Sequence, residues 1–297
     1  MMDKRAGIIA IFGKTNVGKS TLLNAVVGES VSIVTPKPQT TRNVVRGIFN
    51  EERGQIVFLD TPGLHKPDKN LGRRMVSIAY EALEGVDGVL WLLDASKPWG
   101  HDEERLKDKL RSFGRNLVIA INKVDKVKDK GSLLPIIAEI SKVLPESQIY
   151  PMSALDKKFM GPLLDILFGI LPVGEALFSE ELYTDQVEKQ VASEIVRKHV
   201  FMRMRDEVPY STAVYIEEFR EPPSEREKLF ISAVILVDRE SHKPIVIGKG
   251  GQAIKAIGIS ARQELEVILG CPIDLRLFVK VKPGWMDDPH LLKNMGM

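Results

Sequence analysis

One cysteine in 297 residues, Cys271, excludes an intramolecular disulfide and a cysteine metal cluster, as expected in a reducing cytosol. Beside Pro272 it reads as a small core hydrophobe. An excess of one charge sign is also missing. The 42 Lys and Arg against 40 Asp and Glu leave a net +2, which excludes a uniformly basic nucleic-acid coat and an acidic disordered chain. Any basic binding surface is therefore local. The longest apolar stretch, Pro162 to Val173, is broken by Asp165 and stops well short of the roughly 20 residues that span a bilayer. Met1 to Gly7 has no apolar core of about 7 to 15 residues, so no secretory signal is expected and the chain reads as cytoplasmic. The five histidines show no HxxxH or HExxH spacing, which argues against a zinc site. There is no internal repeat and no low-complexity tract.

At roughly 100 to 200 residues per domain the length suits two domains. From Gly7 to Leu171, short β-branched runs alternate with stretches of helical spacing, the pattern of βα units on a mainly parallel sheet. Strands are expected at Ile8 to Phe12, Val45 to Phe49, Ile56 to Leu59, Val89 to Leu93, Leu117 to Ile121 and Ile149 to Tyr150. Helices are expected near Lys19 to Val27, Arg73 to Leu83, Asp102 to Arg111, Leu133 to Val143 and Leu163 to Leu171. Pro172 and Gly174 then interrupt the rhythm, and the domain boundary is placed there, giving 1–174 and 175–297. The second half reads as a small α+β domain. It has a helix carrying Val187, Val191 and Ile195, strands Ala213 to Phe219 and Leu229 to Val237, and a Gly248 to Gly251 loop opening a helix with Ile254, Ile257, Ala261, Leu265 and Ile268 on one stripe. Its last strand alternates Ile273, Leu275, Leu277 and Val279 with polar residues, so one face is buried.

The chemistry is concentrated at strand ends. Gly13-Lys14-Thr15-Asn16-Val17-Gly18-Lys19-Ser20 matches GxxxxGK[ST] between a strand and a helix, the context in which backbone N–H groups cradle phosphates. In that pattern Lys19 neutralises the β and γ oxygens and the Ser20 hydroxyl ligates Mg²⁺, with Thr21 following. Asp60-Thr61-Pro62-Gly63 ends the next parallel strand, where the carboxylate reaches Mg²⁺ through water and the Gly63 N–H meets a γ-phosphate. Asn122-Lys123-Val124-Asp125 ends the Leu117 to Ile121 strand. Asp125 accepts from the N1 and N2 donors of guanine, a pattern adenine cannot supply; the Lys123 stem packs over the base, and Asn122 ties this loop to the phosphate loop. Ser153-Ala154 follows the last strand, with the Ala154 N–H placed for guanine O6. Open α/β sheets bind ligands at this carboxyl edge of their strands.

Four motifs at successive strand ends resemble the Ras-like GTPase domain. That resemblance implies GTP and GDP as ligands, Mg²⁺ at Ser20, Thr41 and Asp60, and a mobile loop around Pro36 to Arg42 whose threonine meets Mg²⁺. Thr41 is preferred over Thr40 because it directly precedes Arg42. Where well-studied relatives carry a water-positioning Gln, this chain has Leu64, whose aliphatic side chain cannot orient water. Catalysis then rests on Lys19, Thr41, Gly63 and the metal, on a partner, or on potassium, which relatives with Asn at the Asn16 position use as an additional cation. A non-hydrolysing scaffold is a further alternative if Leu64 abolishes turnover. His65 adjoins the chemistry, but a loop histidine without a catalytic role is the simpler reading.

In the second half, Gly248-Lys249-Gly250-Gly251 forms a GxxG loop with a basic middle residue, which lets the backbone approach a nucleic-acid phosphate, and Lys255 follows in the helix. From Arg239 to Lys282 eight basic residues face four acidic ones, 8 − 4 = +4. The order of elements resembles a type II K-homology domain, a clamp for about four single-stranded nucleotides. A Ras-like domain followed by such a domain is similar to the Era family of bacterial ribosome-assembly GTPases over nearly the whole chain, including Pro38 to Arg42 and Val281 to Trp285. It departs at Thr15, where the family usually has Pro, and at Lys14, where Arg is common. The resemblance implies binding near the 3′ end of small-subunit ribosomal RNA, action on the 30S subunit, and loose attachment to the inner membrane. We expect a monomer. The alternative is a signalling or membrane-associated GTPase whose second domain binds protein.

Overall fold

The Ile8 to Phe12 run becomes part of β1 (Arg5–Phe12), a central strand of a six-stranded sheet. The computed structural model describes residues 4–67, 70–221 and 227–295. The other strands of the sheet are β2 (Val45–Glu51), β3 (Gly54–Asp60), β4 (Gly88–Asp94), β5 (Leu117–Asn122) and β6 (Gln148–Pro151), in the order β2-β3-β1-β4-β5-β6. All neighbours are parallel except β2, which returns antiparallel on β3 from Val45↔Asp60 to Glu51↔Gly54. Between Glu51 and Gly54 there is no room for a crossover, so the hairpin forces that direction.

Helices cover both faces, which is why β4 and β5 read as continuous apolar runs. On one face Ile9, Ile11, Leu90 and Leu92 pack with Leu22 and Leu23 of α1 (Lys19–Val27) and Leu163 and Leu167 of α5 (Met160–Ile170). On the other, Phe12, Trp91 and Ile119 pack with Ala79 of α2 (Asn70–Glu81), Leu106 and Leu110 of α3 (His101–Leu110) and Ile140 of α4 (Leu134–Val143). Alternate residues of one strand thus feed two cores, and truncating a fully buried one such as Leu22 to Ala costs about 2–5 kcal/mol.

The second unit is built on β7 (Thr212–Arg220), β8 (Leu229–Val237) and β9 (Ile273–Val281), with β7-β8 antiparallel and β8-β9 parallel. One face is covered by α6 (Glu188–Arg203), α7 (His242–Ile247) and α8 (Gln252–Leu269), through Ile195, Val196 and Val200, Val246, and Ile257, Ala261 and Leu265. Beyond β9, the fully buried Trp285 donates from Nε1 to the Ser211 carbonyl at 3.0 Å, and α9 (Pro289–Asn294) follows.

By contacts, the first unit comprises 1–32, 41–66 and 74–185, and the second 33–40, 67–73 and 186–297. The division falls after Asp185 rather than after Gly174. The intervening segment bonds to the edge of the first sheet: Ile48 N–H donates to Tyr183 O at 2.9 Å, and the buried Gln55 accepts from Leu177 and Phe178 N–H. Among the described residues no helix is long and apolar enough to cross a membrane.

Candidate functional site

The phosphate loop, 13–20, leaves β1 and enters α1. Gly18 sits at φ 102°, and a Cβ there would lie 2.4 Å from Asn122 Nδ2, so glycine is required on steric and conformational grounds. Lys19 is 6 % exposed, with Nζ donating to the Gly13 and Lys14 carbonyls at 3.1 and 3.0 Å. Burial lowers its pKa to about 8 against the attraction of Asp60. At the loop's outer edge Lys14 Nζ pairs with Glu103 Oε1 at 2.7 Å and with Asp102 Oδ2 at 3.1 Å.

Asp60, the last residue of β3, is fully buried. Its Oδ2 accepts from Ser20 Oγ at 2.6 Å and Ser32 Oγ at 2.8 Å, with Thr41 Oγ1 at 3.5 Å; Ser20 Oγ and Thr41 Oγ1 are 3.0 Å apart. Desolvation pushes the carboxyl pKa up, opposed by Lys19 and by these hydroxyls. Asp60 Oδ1 is buried with no hydrogen-bond partner. A buried carboxylate with one open oxygen beside two hydroxyls is a hard-oxygen donor set, and it fits Mg²⁺.

Past Asp60, Thr61 donates from N and Oγ1 to Ile11 O, holding the exit of β3 against β1. Gly63 approaches the phosphate loop so closely that a Cβ would stand 2.7 Å from Thr15 Cα. Leu64 N–H donates to Gly13 O at 3.1 Å and Thr15 N–H to Leu64 O at 3.2 Å. The Leu64 side chain is buried in the core beside Phe12 and Trp91, consistent with its inability to orient water. His65 Nδ1 lies 3.0 Å from Gly63 O.

At the end of β5, Asn122 Nδ2 donates to Val17 O at 2.7 Å while its Oδ1 accepts from Ala154 N–H at 2.8 Å. One side chain therefore braces two loops. The Ala154 amide, expected to face a base, is committed to that brace in this structure. Lys123, at φ 67°, donates to Asn16 O and to Asp94 Oδ2, and although burial works the other way, Lys123 and Ser96 hold the Asp94 carboxyl below its usual range. Asp125 Oδ1 accepts from Ser153 Oγ at 2.6 Å, which leaves acceptor capacity on the carboxylate for a base edge. Val124 is buried under the loop.

The structure brings together 13–21, Thr41, 60–64, 122–125 and 153–154, all within the first unit. It also adds residues that sequence reasoning passed over. Ser32 is buried on Asp60; Asn24, Asp94 and Glu103 hold Ser32, Lys123 and Lys14 respectively. None stands in a motif, and Val31-Ser32-Ile33 carries no local signal beyond a small polar residue between apolar ones.

In the second unit α7 ends at Gly248 and α8 begins at Gln252, so the GxxG loop is the turn between them. Gly248, Gly250 and Gly251 all have positive φ; a Cβ at Gly248 would meet Ala253 Cβ at 2.6 Å, whereas Gly250 and Gly251 border open space. Lys249 and Lys255 are exposed and have no ion-pair partner among the described residues. The turn exposes backbone, two ammonium groups and the start of an 18-residue helix.

Residues 8–123 match the family model described as a 50S ribosome-binding GTPase, and residues 207–286 match the KH domain model. The chain is 44 % identical over 297 residues to GTPase Era of Aquifex aeolicus, covering 98 % of this chain and 99 % of that one. It is 40 % identical over 292 residues to GTPase Era of Clostridioides difficile, 98 % of each. Among solved structures it resembles a point variant of Aquifex aeolicus Era bound to GDP·AlF4⁻, with a TM-score of 0.93 and 44 % identity over 98 % of this chain and 99 % of that one. It equally resembles Era in complex with MgGDPNP and nucleotides 1506–1542 of 16S ribosomal RNA, with a TM-score of 0.93 and 44 % identity over 99 % of each. With both models matched in order and 40–44 % identity to GTPase Era relatives over 98 % of its length, this protein belongs to the Era family of GTPases.

Proposed function

We propose that this Mg²⁺-dependent GTPase uses its nucleotide state to control binding of single-stranded RNA near the 3′ end of 16S ribosomal RNA, and that it acts in assembly and maturation of the small ribosomal subunit. The observation that carries this reading is the near-complete match to a structure that holds both MgGDPNP and nucleotides 1506–1542 of 16S ribosomal RNA. The activity belongs in the cytoplasm, with at most loose peripheral contact to the inner membrane.

In this reading the amides of 13–21 and the Lys19 ammonium bind the phosphates, and Lys19 exchanges the Gly13 and Lys14 carbonyls for phosphate oxygens. Ser20, Thr41 and Asp60 hold Mg²⁺, which supplies positive charge to the β and γ oxygens. The Gly63 N–H faces the γ-phosphate, so Lys19, Thr41 and Gly63 stabilise the charge of the transition state. Asp125 selects guanine, with Lys123 packed over the base and Asn122 holding the loop to Val17. Leu64 orients no water, so intrinsic turnover is slow and a cation from outside the chain raises it, either a partner's side chain or K⁺ beside Asn16.

Residues 33–40 belong to the second unit, where Ile33 is buried in the core and Lys37 Nζ donates to the Phe201 and Met204 carbonyls at the end of α6. The next residue, Thr41, belongs to the metal-site cluster. A change in the position of Thr41 on GTP binding is thus transmitted along a single covalent segment, and this continuity supports the switch. RNA is held by the Gly248–Gly251 turn with Lys249 and Lys255.

The test is crosslinking of a 3′-terminal 16S RNA oligonucleotide to the wild type and to Gly250→Asp, with GDP affinity measured in parallel. Loss of crosslinking with GDP affinity retained supports the reading. Undiminished crosslinking contradicts the assignment of the turn, and capture of no RNA by the wild type favours a protein-binding second unit.

A further inference from the structure

We propose that Ser32 is a positioning residue for the metal site: clamped by Asn24, it aims the Asp60 carboxylate so that one oxygen remains open to the metal shell. The inference rests on the placement of Mg²⁺ at Ser20, Thr41 and Asp60 given above. Ser32 lies outside every nucleotide motif in the chain, yet it is 3 % exposed and its Oγ donates to Asp60 Oδ2 at 2.8 Å.

Two features separate this contact from an incidental hydroxyl. The first is that Ser32 is itself immobilised. Asn24, in the last turn of α1, donates from Nδ2 to Ser32 O at 2.7 Å and accepts from Ser32 N–H at Oδ1 at 2.9 Å, so both backbone polar groups of Ser32 are bound by one amide. With its backbone fixed, the hydroxyl has only the rotation about χ1 to place it. The helix carrying Asn24 is the one that opens with Lys19 and Ser20. The phosphate loop, its helix and the Asp60 carboxylate are therefore joined in one hydrogen-bonded circuit: Ser20 to Asp60, Asp60 to Ser32, Ser32 to Asn24, and Asn24 back along α1.

The second is the asymmetry of the carboxylate. Oδ2 takes the Ser20 and Ser32 protons at 2.6 and 2.8 Å, whereas the buried Oδ1 takes none. An ionised carboxylate has about four acceptor positions. Two hydroxyls on one oxygen hold the plane of the group and reserve the other oxygen for the donors of a hydrated metal. Ser20 cannot perform this alone, because its oxygen is itself a metal ligand in the proposed site and its own orientation then depends on the metal. Ser32 makes no such contact, so it supplies a reference fixed before the metal arrives. Partners that orient metal-binding groups in this way are typically worth about 10-fold or more in metal affinity.

The test is release of a fluorescent GDP analogue from the full chain in excess Mg²⁺ and in EDTA, whose ratio reports metal–nucleotide coupling without any hydrolysis. For Ser32→Ala the ratio is expected to fall about 10-fold, with the EDTA rate changed less than about twofold. Ser32→Cys, close in volume but a weak donor, is expected to follow Ser32→Ala, and Asn24→Ala to move in the same direction. A Ser32→Ala ratio equal to wild type overturns the proposal. So does a Ser32→Cys ratio equal to wild type, which makes the role one of packing, or an equal change in the EDTA rate, which makes it one of nucleotide contact. Ser20→Ala separates the underlying reading: if it retains the full Mg²⁺ effect, the metal placement itself is wrong, whatever Ser32 does.

Discussion

Raising the pH from 7 to 8.5 should weaken nucleotide binding through one group. Lys19 is buried, and desolvation lowers its pKa from 10.5 to about 8 in the nucleotide-free protein. A bound polyphosphate places negative oxygens around the same ammonium, so in the complex Lys19 stays protonated throughout this range. Linkage then multiplies the apparent Kd by 1 + 10^(pH − 8), a factor of about 1.1 at pH 7 and about 4 at pH 8.5. Binding should also take up about half a proton at pH 8 and less than about 0.1 at pH 7. The sign for stability is opposite. The unfolded chain binds the extra proton between pH 8 and 10.5, so this group makes the nucleotide-free protein more stable as pH rises through that window. Calorimetric titration with GDP at each pH, in two buffers of different ionisation enthalpy, reads both affinity and proton uptake while the guanine ring keeps its N1 proton. A flat Kd with no buffer-dependent heat at pH 8 would refute the reasoning and place the free Lys19 ammonium near its ordinary value.

The other predictions concern specificity, cation use and coupling. Asp125→Asn replaces an acceptor by a donor at the base edge and should lower GDP affinity by at least about 10²-fold while raising affinity for xanthosine diphosphate, read by competition binding. With Leu64 buried and Asn16 in the phosphate loop at φ 61°, replacing Na⁺ by K⁺ should raise single-turnover hydrolysis, and equal rates in the two salts would rule out a potassium role. Lys37→Ala removes the donor to the Phe201 and Met204 carbonyls and should narrow the difference in RNA affinity between GDP and GTP-analogue states, leaving GDP affinity within about twofold.

Local regularities in the chain were enough to place most of this architecture. Strands β1 and β5 are β-branched runs and β4 is a Leu-rich apolar one, all too short for helices, and the alternation through Ile273, Leu275, Leu277 and Val279 marks the one-sided packing that β9 adopts. The motifs at 13–20 and 122–125 are legible as candidate nucleotide loops because their chemistry is local: glycines, a lysine and a carboxylate at fixed spacing. What escaped depends on partners distant in sequence. Ser32 acquires its place through Asn24 and Asp60, 8 and 28 residues away, and no period in the chain encodes that meeting. The position of Ala154 just after the last strand points its amide toward a base, while in the structure that amide donates to the Asn122 side chain. The breakers Pro172 and Gly174 end the α5 region, but the chain they release bonds to Gln55 and Ile48 before the second unit begins. Composition detects where a helix stops and not which sheet the next segment follows.

The central claim is that nucleotide state controls RNA binding, and its most direct test is the affinity of a 3′-terminal 16S RNA oligonucleotide for the full chain with GDP and with a non-hydrolysable GTP analogue, each at two salt concentrations. The account predicts tighter, sequence-selective binding in the GTP-analogue state that persists at the higher salt. Equal, weak binding in both states that vanishes with salt would contradict it, because phosphate attraction alone behaves in that way.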